Sequence, residues 1–217
     1  MKKRLLALLM ISIVLLTACG TTSETQNSPG ASEKDNIESG ASSSASDDKK
    51  NSGVDHTVSA VSIKFDYQVM PNEASNQVAA WVENEKGKLV KTIYVSDFTG
   101  KRRGYKVRED ALSHWVSAAD PDSMSDKQID AVSSATLQDG KQTFEWDLTN
   151  NNGETVPAGQ YTIKLEGTLY WKSNVVYSGV VDTAKNTSGK ITVRRKRSEP
   201  ENSDNDTMIQ NVKMSVK

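Results

Sequence analysis

The stretch "QTFEWDLTNNNGETVPAGQYTIKLEGTLYW", residues 142–171, decides the fold. Its first part sets Phe144, Trp146 and Leu148 against Thr143, Glu145 and Asp147. Such alternation marks a half-buried strand, because successive Cβ atoms point to opposite faces. Asn152-Gly153 and Pro157-Ala158-Gly159 then supply turn chemistry. Tyr161, Ile163, Leu165, Leu169 and Trp171 return in register on one face. Taken locally this is a hairpin: Asn152 and Gly153 tolerate positive φ, Pro157 ends the pairing, and Tyr161 packs.

The flanking sequence repeats the pattern. Upstream, Val61, Ile63, Phe65, Tyr67 and Val69 alternate with Ser62, Lys64, Asp66 and Gln68. "NQVAAWVEN" and "KLVKTIYVS" follow, joined by "EKGK", whose Gly87 suits a tight turn, so the first sheet is expected to run as consecutive antiparallel strands. Downstream, "VVYSGVV" is the expected hairpin partner of the Tyr161 strand, and "KITVR" a last short strand. About seven short strands without intervening helices predict an antiparallel sandwich.

Residues 104–136 interrupt this order. "VREDALSHWVSAA" places Val107, Ala111, Trp115 and Ala118 at helical spacing, and Ser125 with Gln128 forms a capping-box pair. One or two short helices are therefore expected inside an all-β chain, and insertions of this kind often carry function.

The N-terminus has a different character. "MKKR" is a basic segment, and "LLALLMISIVLL", residues 5–16, is an apolar run too short for a comfortable membrane span. The following "LTACG" resembles the lipobox of bacterial lipoproteins. That resemblance implies cleavage after residues 1–18 and diacylglycerol on Cys19, the only cysteine in the chain. Loss of Lys2, Lys3 and Arg4 with the signal takes the formal net charge from −1 to −4. Acyl chains contribute about 0.8 kcal/mol per buried methylene, enough to hold a mature lipoprotein on the bilayer without a spanning helix. No thiol then remains for a disulfide.

Residues 19–55 form a Ser-rich tether with too few large apolar residues to offset their ordering entropy, and so are expected to be disordered. Such a coil of about 36 residues has an r.m.s. reach of roughly 30–36 Å. The sandwich is expected over residues 56–195. Residues 196–217, with "RRKR" followed by Glu199, Glu201, Asp204 and Asp206, read as a charged, solvated tail or else as a short extra strand or an intermolecular contact.

"WVENEKGKLVKTIYVS", "DAVSSATLQDGKQTFEWDLTNNNGETVPAGQYTIKLEG" and "LYWKSNVVYSG" together resemble the predicted periplasmic proteins grouped as domain of unknown function 2271. The second segment is also similar to the immunoglobulin-like repeat of flagellar hook-capping proteins. These resemblances imply an immunoglobulin-like antiparallel β-sandwich and no settled activity.

The candidate chemistry is sparse. Only His56 and His114 are available as bases, without a nucleophile motif, so no catalytic residue is assigned. No metal site is assigned either: the thiol is committed to lipid, and "DPDSMSD", residues 120–126, lacks the glycine and distal glutamate of an EF-hand. "DAVSSAT", residues 130–136, resembles the Asp-x-x-Ser/Thr-Gly-Ala-Thr/Ser sequon on which a bacterial flavin transferase attaches FMN. Asp130, Ser133, Ala135 and Thr136 match, with Ser134 where the sequon has glycine; that resemblance implies FMN on Thr136. The other reading of the segment is a tightly packed helix end before a strand. Trp81, Trp115, Tyr170 and Trp171 are candidates for an aromatic platform, Trp81 above all and Trp171 more readily as core.

Composition suggests no nucleic-acid partner. The expected protein is therefore a membrane-anchored, extracytoplasmic lipoprotein, partnered with the lipid bilayer through Cys19. Its non-enzymatic binding or accessory domain meets an unidentified protein; the alternative is a redox accessory that carries FMN and meets a redox partner.

Overall fold

A computed structural model describes residues 55–71, 76–169, 173–186, 189–198 and 205–217, all within one compact unit spanning residues 49–217. The signal segment 1–18, Cys19, the tether up to its last residue, Tyr170 and Trp171 lie outside the described residues.

Among the described residues ten strands form two sheets. Sheet A has the order β5-β1-β10-β8, where β1 is Val61–Tyr67, β5 Gly140–Trp146, β8 Gly189–Ile191 and β10 Ile209–Val216. Sheet B has the order β4-β3-β2-β6-β7-β9. Its strands are β2 (Gln77–Asn84), β3 (Leu89–Ser96), β4 (Ser133–Ser134), β6 (Gln160–Thr168), β7 (Asn174–Asp182) and β9 (Arg194–Arg197). All pairings are antiparallel except the short parallel one of β4 with β3.

The alternation in β1 works as expected: Val61, Ile63, Phe65 and Tyr67 are buried and meet Ile163, Leu165 and Val175 of sheet B in one core. Trp146 packs edge-on against Tyr161, with ring centroids 4.9 Å apart, and donates from Nε1 to the Thr149 carbonyl at 2.8 Å. Gly87 (φ 73°) and Gly153 (φ 81°) supply left-handed turn residues where expected.

The pairing partners differ from the expectation in four places. β1 pairs with β5 and β10 and not with β2, so the first strands do not form one consecutive sheet. The segment 142–171 is not a hairpin: β5 belongs to sheet A and β6 to sheet B, and its turn carries the chain between sheets, with only the Thr149–Thr155 bridge pairing locally. "KITVR" divides, Lys190 and Ile191 joining sheet A and Arg194 joining sheet B. The described end of the expected tail, residues 205–217, is not solvated coil. β10 lies inside sheet A between β1 and β8, burying Ile209, Met214 and Val216, and the sandwich runs to the end of the chain.

The inserted segment carries a 3-10 turn (Gly104–Lys106) and two helices, α1 (Ser113–Ala119) and α2 (Asp126–Val132). α2 has the expected capping box between Ser125 and Gln128. α1 starts later than the spacing suggested, because Leu112 takes a left-handed conformation (φ 52°), and Val107 lies outside it, 78% exposed. A four-residue helix, α3 (Asn205–Met208), precedes β10.

α1 covers the outer face of sheet B. Leu112, Trp115 and Ala119 pack with Ala79, Trp81 and Val95 into a second, smaller core. Trp81 and Trp115 are therefore fully buried rather than an exposed platform. Their indole groups are satisfied, Trp81 Nε1 by Glu83 Oε1 at 2.7 Å and Trp115 Nε1 by Thr92 Oγ1 at 3.1 Å.

Candidate functional site

Two places combine exposure with positioned polar groups: the groove beside α1 and the connection that follows α2.

The groove is built on Glu166. Alternation puts this residue on the outer face of β6, where solvent would be expected, but α1 lies across it and leaves it fully buried. Its carboxylate accepts the backbone N–H groups of His114 (3.2 Å) and Trp115 (2.9 Å), and so caps the first turn of α1 from a strand about fifty residues away. Asn174 Nδ2 also donates to it, and His114 Nδ1 lies 3.0 Å from Oε1. Thr168 Oγ1 accepts a further backbone donor just before the helix, Leu112 N–H, at 3.2 Å.

A carboxylate on Nδ1 fixes the orientation of the His114 ring. The other nitrogen has no partner among the described residues, and the side chain is 43% exposed. It borders a shallow groove of about 480 Å³ lined by Glu83, Ser113, Ser117 and Lys164 as well. Lys164 Nζ bonds Glu83 Oε1 at 2.8 Å and sits 5.6 Å from the Trp81 ring centroid. Among the described residues no hydroxyl is hydrogen-bonded to the His114 ring, and the oriented imidazole is equipped to hydrogen-bond a ligand in the groove. His56 is elsewhere, its Nε2 2.7 Å from the Val156 carbonyl oxygen.

The end of α2 and the connection after it hold the three residues expected at a cofactor site, Asp130 within the helix and Ser133 and Thr136 beyond it. Asp130 is exposed and ion-paired with Lys101 at 3.5 Å. Ser133 donates from Oγ to the Ile129 carbonyl at 2.8 Å, a bond that closes the helix end. Thr136 is exposed, two residues beyond β4. The three are not gathered around one point: Ser133 serves the helix, Asp130 the surface.

The segment is nevertheless held firmly on both sides. Asp97 N–H donates to the Ser134 carbonyl at 3.0 Å, and the Tyr94 hydroxyl donates to the Ala135 carbonyl at 2.7 Å. Burial pushes the Tyr94 hydroxyl above the ordinary tyrosine range, which keeps it a donor. Ser134 is extended within β4, so the backbone at that position does not call for glycine.

Gly100 lets the strap close: a Cβ there would lie 2.2 Å from Ser133 Oγ and 3.0 Å from Val95 Cγ1. Gly100→Ala is expected to cost about 1–3 kcal/mol in urea unfolding. Amide exchange should accelerate at Asp97, whose N–H is bonded to Ser134, while the β1–β5 ladder stays protected.

The acidic loop 120–126 is tied up in pairs. Asp122 receives Lys106 Nζ at 2.6 Å and the Tyr105 hydroxyl at 2.8 Å, and these hold its carboxyl below the ordinary range. Arg103 reaches Asp122 at 3.4 Å and Asp126 at 3.3 Å. Among the described residues no three His, Cys, Asp or Glu side chains are grouped for a metal ion.

Glu166 was not legible in the sequence, since its place between Lys164 and Thr168 reads as the wet side of a strand. Only the tertiary position of α1 reverses that reading.

The two-sheet architecture defines a β-rich, sandwich-type module. The chain belongs to the family described as predicted periplasmic protein, domain of unknown function 2271, whose model matches residues 60–198. No curated protein and no solved structure matches it. The periplasmic character of the family fits an extracytoplasmic location, and among the described residues no helix is long and apolar enough to cross a membrane.

Proposed function

We propose that this protein is an extracytoplasmic lipoprotein, held on the membrane by acyl chains on Cys19, whose immunoglobulin-like sandwich is a non-enzymatic binding or accessory module. The observation that carries the reading is the groove beside α1. One oriented imidazole and two serines from α1 border it with one ammonium from β6, and that equipment suits recognition better than turnover. The lipobox-like "LTACG" and the family's periplasmic character support the anchored location.

Two measurements test this. Cells fed labelled palmitate should label the parent chain and leave Cys19→Ala unlabelled and out of the acylated membrane fraction; label retained by Cys19→Ala removes the anchor. A photo-crosslinking amino acid at Ser117 should capture a partner, and His114→Ala or Lys164→Ala should abolish the capture. Equal crosslinks in these variants would discard the groove as the binding site.

A second reading, FMN on Thr136, is favoured by one feature: an exposed hydroxyl beyond an extended strap whose small neighbours leave its approach open. There the Thr136 oxygen would attack the FMN phosphorus of a flavin dinucleotide, forming a phosphoester, releasing AMP and passing its proton to the transferase. Coexpression with a flavin transferase should add one FMN to the intact mass, an adduct lost in Thr136→Ala and kept in Ser133→Ala. An unmodified parent mass under those conditions sinks this reading.

A further inference from the structure

The outer face of sheet A is cationic on a chain whose formal net charge is −1. Alternation puts Lys64 and Asp66 of β1 on that face, and the registers add Lys141 and Glu145 from β5, Lys213 from β10 and Lys190 from β8. The two carboxylates are already neutralised. Asp66 accepts from Lys141 (3.0 Å) and Asn211 (2.7 Å), which hold its carboxyl below the ordinary range, and Glu145 bonds Lys217.

Lys64, Lys190 and Lys213 remain exposed, with no ion pair or hydrogen bond to their side chains among the described residues. Lys64 and Lys213 stand directly opposite each other across β1 and β10, and like charges so placed destabilise a sheet. A shallow depression of about 560 Å³ lies beside them, bordered by Lys141 and Thr143.

We propose that this face docks on anionic phospholipid headgroups. Its cations are spread over a β-sheet surface and do not converge on one point, so their complement is a plane of anions rather than a single phosphate. The choice of a bilayer as that plane rests on the lipid-anchor reading: a tether of this composition would hold the domain at an r.m.s. distance of roughly 30–36 Å from its acylated end. At that distance a weak electrostatic attraction suffices to lay the sheet on the surface. The unfavourable Lys64–Lys213 pair then has a role, since headgroup phosphates relieve it.

The test uses residues 49–217, because among the described residues both hydrophobic cores draw on residues 58–216. At low salt this domain should cosediment with vesicles of phosphatidylcholine and phosphatidylglycerol and not with phosphatidylcholine alone. Each lysine to glutamine change at 64, 190 or 213 should lower partitioning about fivefold, and the triple variant roughly a hundredfold. Lys127→Gln, on exposed α2, should leave it unchanged. Lys64→Gln should raise Tm while weakening binding, a pair of opposite signs that a merely damaged fold does not produce.

Equal partitioning of the triple variant, or an equal loss in Lys127→Gln, overturns the proposal. So does tighter retention on soluble polyphosphate than on the vesicles, which would assign the face to a dissolved polymer. Palmitate labelling reports separately on the anchor: an unlabelled chain that still binds vesicles loses the anchor and keeps the face, and a labelled chain that ignores them loses the face alone.

Discussion

A chain ended after Ser198 should show no cooperative unfolding transition, although it retains every residue matched by the family model. The deletion removes β10, which pairs with β1 from Val61–Val216 to Tyr67–Ile209 and with β8 from Met214–Ile191 to Val216–Gly189. It also removes the Lys217 carbonyl that accepts Ser59 N–H and the Met208 carbonyl that accepts Gln68 N–H, at 2.9 and 3.0 Å. Met208, Ile209, Met214 and Val216 are buried, and at about 1.5–3 kcal/mol each their loss amounts to about 6–12 kcal/mol. A whole domain is stable by only about 5–15 kcal/mol. Sheet A would also split, leaving β8 without a neighbour and β1 with an open edge. Near-UV circular dichroism and urea titration of the truncated chain decide the matter: a two-state transition near the parent midpoint would mean that β10 is dispensable. Lys213→Ala, in the same strand with its side chain in solvent, should not lower the midpoint and should raise it slightly, because it removes the charge opposite Lys64.

That strand also shows why part of the fold was hidden. In β1 the alternation is unbroken and reads directly as a half-buried strand. In β10 a bulge intervenes: Lys64 faces Lys213 while Asp66 faces Gln210, so one extra residue sits on β10, near Asn211 with φ 54°. Its buried residues are therefore Ile209, then Met214 and Val216, and the period-two signal cancels across the break. Trp81 was misjudged for a different reason. Nearly every residue of β2 is buried, because one face meets the main core and the other lies beneath α1. Alternation tells which face a residue shares, but neither what covers that face nor which strand lies beside it. The same limit hid the passage of residues 142–171 from one sheet to the other. Local chemistry was better preserved: the Ser125–Gln128 capping box and the Gly87 and Gly153 turns need no distant partner, and each is present.

The α1 groove depends on such a distant partner, and Glu166→Ala should therefore be the most damaging single substitution near it. The change removes the acceptor of two backbone N–H groups and of His114 Nδ1, and one of the two acceptors of Asn174 Nδ2, at a carboxylate that is itself fully buried. Loss of a helix cap costs about 1 kcal/mol, and each buried donor left unpaired about 1–3 kcal/mol, so a total of about 3–4 kcal/mol is expected after partial relaxation. Glu166→Gln keeps the volume but offers one acceptor where the carboxylate offered two, so an amide N–H is turned toward donors; about 2 kcal/mol is expected. His114→Ala should cost about 1 kcal/mol or less, because that side chain is half exposed and the cap survives without it. The ordering separates two roles for the carboxylate. If it mainly caps α1, Glu166→Ala will free the His114 and Trp115 amides to exchange and change the near-UV signal of the buried Trp81–Trp115 cluster, while His114→Ala leaves both intact. If it mainly serves the imidazole, the two variants will match in urea midpoint, and the cap assignment fails. Either result bears on the groove, since an imidazole on an unanchored helix has no fixed direction to offer a ligand.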